Sequence, residues 1–235
     1  NPYITSVDLF NNKLPYVKIP RVLVGINNEL NDKIIWKKER VAEVGDLYIK
    51  KEEKKFAEDS INAIFEHWKN KNKKLPRGLI FLSDTAKRNI ILNNKIVNYE
   101  HYVNKEWGRN KWEEFIKITS KDYILVKTTN SKDNTIEGLY SIICDFRTNY
   151  AIMEKCDFYI GNEGGLSHLW AITRKRAIVF FGHWIPPHVT GYPFHLNLSK
   201  NTNDHCGSLT KCKTCMNFFK DLEPEYIKFI LEKNI

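Results

Sequence analysis

The chain has 235 residues, of which 42% are hydrophobic and 13% aromatic, and it carries a formal charge of +9 with a pI near 9.2. That apolar content suffices for a packed core and excludes global disorder. No run reaches the roughly eighteen apolar residues that a membrane-spanning helix needs. The first residues, NPYITSVDLF, carry neither a charged leader nor the apolar stretch of a signal peptide, and they lack an initiator Met. The start therefore reads as that of a fragment or a processed chain, with a cytoplasmic, reducing compartment as its expected setting.

In chain order, residues 1–49 are mixed, with one extended piece at 16–26. KKEEKKFAEDSINAIFEHWKNKNKK (50–74) is a helix whose Phe56, Ile61, Ile64, Phe65 and Trp68 recur at helical spacing. Its lysine runs alternate with acids or asparagines and read as solvated faces, so much of the positive charge needs no partner. LPRG (75–78) breaks the helix. A domain boundary is expected there, with 1–74 a partial or reduced N-terminal region and 75–235 a second unit.

From Gly78 the pattern alternates. Apolar strands are expected at GLIFLSD (78–84), DYILVKTT (122–129), DFYIG (157–161) and AIVFFG (177–182), with a weaker one in RNIILNNKIVN (88–98). Helices are expected at NKWEEFIKITS (110–120), FRTNYAIMEKC (146–156), GGLSHLWAITRK (164–175) and EPEYIKFILEKN (223–234), the last with Pro224 in its first turn. Short continuous apolar strands between amphipathic helices give the α/β class: a Rossmann-like parallel sheet with helices on both faces.

In such sheets ligands bind beyond the carboxyl ends of the strands. That rule singles out Gly161, Asn162, Glu163, Gly164 and Gly165, followed by Ser167 and His168. Glycines let a ligand approach the backbone, and a helix start offers N–H groups to an anion. Ser167 adds a hydroxyl and His168 an imidazole. The competing reading is a tight strand–helix turn with a helix-terminal charge and a packed histidine. Neither a dinucleotide GxGxxG nor a Walker A motif is present.

CDFYIGNEGGLSHLWAITRKRAIVFFG resembles the signature of the family 9 glycosyltransferases, the ADP-heptose:lipopolysaccharide heptosyltransferase group. That signature is an apolar strand, an Asp-Thr/Ser-Gly turn, a His three residues on and a strand ending in Phe-Gly. Here Glu163 and Gly164 stand for the Asp and the Thr or Ser. KEWGRNKW (105–112) resembles the family's Lys-x-Trp-Pro-x-x-x-Phe, with Gly108 in place of Pro, and CKTCMNFFKDLEPEYIKFIL resembles its closing segment. NPYITSVDLF resembles the family's Asn-Pro-Tyr-Ile-Asp stretch, which lies partway into its N-terminal domain.

The resemblance covers about two-thirds of the chain. It implies a GT-B-type fold with a truncated or reduced acceptor-side domain at 1–74 and a nucleotide-sugar-binding domain at 75–235. It implies donor binding by Lys105, Arg109, Glu163, Gly164, Gly165, Ser167 and His168, with Trp107 packing. No catalytic base is nominated.

The loop GHWIPPHVTGYPFHLNL (182–198) reads as a binding loop at a strand's carboxyl end, with Trp184 or Tyr192 placed to stack on a base. Cys144 and Cys156 read as buried thiols. Cys206-x5-Cys212-x2-Cys215 has half of a zinc-knuckle spacing, and thiolates suit a structural Zn or Fe ion. His205, His195 or Cys156 is the expected fourth ligand, and iron in related autotransporter heptosyltransferases adds to that reading.

The expected function is inverting, metal-independent transfer of a sugar, heptose or similar, from a nucleotide-diphospho-sugar. The acceptor is a glycan or lipid-linked glycan in lipopolysaccharide or polysaccharide assembly. The expected location is cytoplasmic, with peripheral contact at the inner membrane, and no nucleic-acid partner is expected. The alternatives are a basic nucleic-acid-binding module with a zinc knuckle, and another Rossmann-like nucleotide-binding enzyme.

Overall fold

The structure is a computed structural model that describes residues 42–85, 90–92, 95–97, 103–129, 136–200, 205–207 and 211–235. The extended piece expected at 16–26 and the NPYITSVDLF stretch lie outside the described residues.

Helix α1 (Lys51–Asn72) leads into β1 (Leu79–Ser83), then β2 (Ile90–Leu92) and β3 (Lys95–Val97). There follow α2 (Arg109–Thr119), β4 (Ile124–Thr129), β5 (Leu139–Ile143), α3 (Phe146–Lys155) and β6 (Phe158–Asn162). The chain continues through α4 (Gly165–Ala171), β7 (Ala177–Gly182), α5 (Pro187–Thr190) and β8 (Leu196–Ser199), and closes on α6 (Lys213–Asp221) and α7 (Pro224–Asn234).

Six strands form one sheet in the order β5-β4-β1-β6-β7-β8, and every pairing in it is parallel. The chain builds outward from β1 to β4 and β5, then returns to the far side of β1 to add β6, β7 and β8. This is the doubly wound order, and its direction reverses between β1 and β6. The weak strand expected at 88–98 is instead a small antiparallel hairpin, β2 with β3, outside the main sheet.

Side-chain alternation along β1 divides the core. Ile80 and Leu82 pack with Trp112, Phe115 and Ile116 of α2 and with Ile227 and Leu231 of α7. Leu79 and Phe81 point the other way, toward Ala57 and Trp68 of α1, Tyr150–Met153 of α3 and Trp170 of α4. Helices thus cover both faces, as the near-continuous apolar strands require. Helix α1 buries Ala57 and Trp68 while Phe56 is 42% exposed, so its inward stripe runs one residue away from Phe56.

Local chemistry fixes the element ends. Asp145 caps α3 by accepting from the Thr148 N–H at 2.7 Å. Pro224 opens α7, where its missing N–H costs nothing. Asp157 accepts from the Leu79 N–H at 2.8 Å and so ties the start of β6 to that of β1.

Candidate active site at the carboxyl edge of the sheet

β1 ends at Ser83 and β6 at Asn162, side by side at the point where strand order reverses. Gly161 pairs with Ser83, and a Cβ on it would stand 2.5 Å from the Ser83 Cβ. Its glycine therefore serves strand packing. Gly164, by contrast, has φ 158° and ψ −163°, and a Cβ there would meet nothing within 4 Å. The turn after β6 thus presents bare backbone to open space, as a ligand cradle needs.

Beside that turn lies a buried charge network. The Lys105 ammonium donates to Glu163 Oε2, the two side chains being 13% and 6% exposed. Glu163 Oε1 is 3.6 Å from His168 Nε2, an electrostatic contact just beyond hydrogen-bond length. His168 Nδ1 meets the Tyr192 hydroxyl at 3.0 Å. The ammonium also lies 3.9 Å from the centroid of the Trp184 ring, a cation–π contact. Burial by itself would raise the Glu163 pKa, but Lys105 and His168 together outweigh it and hold the carboxyl well below its usual range.

Lys105 and Trp184, far from each other in sequence, therefore meet the neighbouring Glu163 and His168 in one place. Ser167 is buried and exchanges hydrogen bonds with the Gly164 backbone, so its hydroxyl shapes the turn. Gly165 opens the seven-residue α4. Arg109 lies at the exposed start of α2 and donates to Glu113 at 2.6 Å. The face of Trp184 expected to stack on a base carries the Lys105 ammonium. Trp107 packs between Trp112, Phe115 and Phe180, and its indole donates to Leu222 O at 2.8 Å. Gly108, at the N-cap of α2, has φ 95°, an angle closed to the proline of the resembling pattern.

At this edge two residues named from the sequence, Tyr192 and Asn162, show their surroundings, and one ion pair was missed. Tyr192, expected to stack on a base, places its hydroxyl against His168 Nδ1. Asn162 is buried, and among the described residues neither its amide nitrogen nor its amide oxygen has a hydrogen-bond partner. The Lys127–Asp84 pair joins β4 to the end of β1 at 2.9 Å. Its signal was the single lysine inside the apolar run ILVKTT.

A second cluster lies just beyond β7. Ligand atoms of His183, Cys206, Cys212 and Cys215 all fall within 4.8 Å of one another, with Cys206 Sγ 3.3 Å from Cys215 Sγ. The fourth member is His183, not the expected His205, His195 or Cys156. His205 stacks on the His183 ring at 5.3 Å, and His195 packs among Tyr192 and Phe194. Cys156 lies in the core on the α1 face of the sheet. Hydrogen bonding to Cys206, then burial and the neighbouring Cys212, push the Cys215 thiol far above its ordinary pKa. A thiophilic cation would reverse that balance, and three sulfurs with one imidazole are a tetrahedral metal-ligand set.

No family model matches the chain, and no curated protein sequence matches it. Solved structures do. The fold is shared with heptosyltransferases. Escherichia coli ADP-heptose LPS heptosyltransferase II superposes with a TM-score of 0.51 at 14% identity, over 80% of this chain and 52% of that one. A family 9 glycosyl transferase from Veillonella parvula gives 0.49 at 12% identity, over 81% and 53%. The iron-containing dodecameric glycosyltransferase TibC of enterotoxigenic E. coli gives 0.45 at 14% identity, over 68% and 46%. The chain spans about half the length of the solved structures it matches. At these identities the likeness establishes the Rossmann-like architecture, in agreement with the fold expected from the sequence.

Proposed function

We propose that residues 75–235, together with helix α1 packed on their sheet, are the donor-binding part of a family 9-type glycosyltransferase, with the region before α1 on the acceptor side. The observation that carries this reading is the Lys105–Glu163–His168 network beside the open Gly164 turn, at the point where strand order reverses. An ammonium has three N–H donors and Glu163 takes one of them. The face of Trp184 lies against the ammonium as well, and in this reading a remaining N–H is directed to the diphosphate of a nucleotide sugar.

In the transfer, an acceptor hydroxyl attacks the anomeric carbon and the bond to the diphosphate oxygen breaks. The electron pair leaves with the nucleoside diphosphate, and a fixed cation lowers the cost of that charge. Glu163 and His168 hold the Lys105 ammonium in place before charge develops, so no reorganisation is needed during the reaction. The acceptor in this reading is a glycan or lipid-linked glycan, and the net charge of +9 suits an anionic membrane face. Among the described residues no helix is long and apolar enough to cross a membrane.

We infer further that His183, Cys206, Cys212 and Cys215 hold one zinc or iron ion, whose part is to tie the end of β7 to the start of α6 rather than to enter the chemistry. One equivalent of metal per chain in the purified protein, lost in Cys215→Ala, is the expected result of elemental analysis.

The donor reading is tested by thermal unfolding with ADP, GDP, UDP, CMP and NAD+. One nucleoside diphosphate is expected to stabilise the chain by about 2.7 kcal/mol at a hundredfold excess over Kd, and Lys105→Ala to lose the shift. Stabilisation by NAD+ alone would favour a dinucleotide enzyme, and no shift with any of them would remove the donor assignment.

A further inference from the structure

The cysteine–histidine cluster and the anion site share a wall. Lys105 is approached from the cluster side in two ways. Its ammonium lies over the face of Trp184, which follows His183 directly and packs with Ile185 and Cys215, with Cys206 and Cys212 against them. The residue before it, Asn104, is fully buried, and its Oδ1 accepts a 2.7 Å hydrogen bond from the Cys212 N–H.

Two backbone bonds close the arrangement. The Cys206 N–H donates to His183 O at 3.0 Å, and the Gly207 N–H to Trp184 O at 2.9 Å. Each of the three cysteines thus lies on a segment that touches Asn104 or Trp184. The segment carrying Lys105 has neighbours on the sheet side as well, since Trp107 is anchored in the core. The ammonium's direction, however, is decided by Trp184 below it and Glu163 beside it.

We propose that the cysteine–histidine centre positions the anion site: when the four ligands are drawn together on a metal ion, Asn104 and Trp184 are fixed, and they fix Lys105 against Glu163. Asn104 and Trp184 are positioning residues in this scheme and touch no substrate. The effect on nucleotide binding rests on the donor-site reading, whereas the tethering of Lys105 does not. The physical basis is geometric. A cation–π contact and a buried ion pair are directional and short-ranged, so a loop that drifts by about an ångström forfeits much of both. Without the ion, the described segments bearing Cys206, Cys212 and Cys215 meet Asn104, His183 and Trp184 through apolar packing and single hydrogen bonds, none of which fixes the four ligand atoms on one centre.

The experiment compares the metal-loaded chain, the same chain stripped with a chelator, and the variants Asn104→Ala, Trp184→Phe and Trp184→Leu. Metal content is measured by elemental analysis, local opening by hydrogen exchange at 103–107 with β6 as the control, and affinity by calorimetry with ADP, GDP and UDP. Stripping is expected to speed exchange at 103–107 more than tenfold, leave β6 protected, and raise the nucleoside-diphosphate Kd about tenfold, a change of about 1.4 kcal/mol. Asn104→Ala is expected to keep its metal and reproduce both effects. Trp184→Phe, which retains an aromatic face, is expected to bind like the parent, and Trp184→Leu is not.

Unchanged exchange at 103–107 after stripping overturns the proposal, as does failure of the chain to bind zinc or iron. Should Asn104→Ala fail to fold, the stripped parent chain decides. Should the parent bind no nucleoside diphosphate, the donor reading falls and the exchange data alone judge the tether.

Discussion

Cys156 and Cys215 are both fully buried, yet they lie in two different kinds of interior. Cys156 belongs to the apolar cluster between the sheet, α1 and α3. Its thiol donates to Ile152 O at 3.3 Å, and burial raises its pKa. Cys215 lies beside two further thiols and an imidazole, and the same carboxyl edge buries Glu163, Asn162, His195 and His205. An apolar core gains from every atom it excludes from water. A polar interior costs free energy unless each group finds a partner. The first region therefore stabilises the fold outright, the second only while its polar groups stay paired, and the contrast can be tested at matched magnitudes.

The largest effects should be alike in size and different in kind. Phe81→Ala, in the apolar region, is expected to cost about 3–5 kcal/mol in urea unfolding while metal content and nucleotide-induced stabilisation persist. Glu163→Ala should cost a similar ~3–5 kcal/mol, because it leaves the Lys105 charge buried without its acid. It should also abolish the nucleotide response. A Phe81 variant that lost ligand binding as well would erase the distinction.

Next in size is a pH effect confined to the polar edge. Burial holds His195 near a pKa of about 4, against an ordinary value of 6.5. Between these values the unfolded chain binds the proton and the folded one does not, so stability falls as pH drops from 6.5 to 4. The loss should approach ~3 kcal/mol and be flattened in His195→Gln. The Glu163 contribution has a separate window: its folded pKa is depressed, so it is fully present above about 4.5 and lost only as pH falls further. A flat stability profile between pH 4 and 6.5 would show that His195 charges freely in the fold.

The smallest expected effect is that of Cys156→Ala, about 1 kcal/mol for one buried atom with metal content unchanged. Cys215→Ala, an identical chemical change, should instead empty the cluster. Equal metal content in the two variants would remove the metal reading.

Much of the architecture was legible in the sequence. The runs LIFLS, FYIGN and AIVFFG are too short and too continuously apolar for anything but central parallel strands, and the helices between them carry one apolar stripe each. β5 and β8 were missed because LYSII and LNLS are edge strands, half-exposed and polar enough to read as loop. In the site, Glu163, Gly164 and His168 were legible because they follow a strand within a few residues. His183 was seen but not paired with the cysteines, since more than twenty residues separate it from Cys206. The link between Lys105 and Glu163 spans 58 positions and left no local periodicity to detect.

By itself, then, the sequence determined the four central strands β4, β1, β6 and β7, the helices between them and the turn after β6, because local apolar patterning and chain stiffness act over a few residues. Only the tertiary structure decided which lysine faces Glu163, that Trp184 carries an ammonium, and that His183 completes the cysteine cluster. Those pairings form between segments that meet only after the strands take their order, and the energy of a buried charge depends on neighbours brought from elsewhere in the chain.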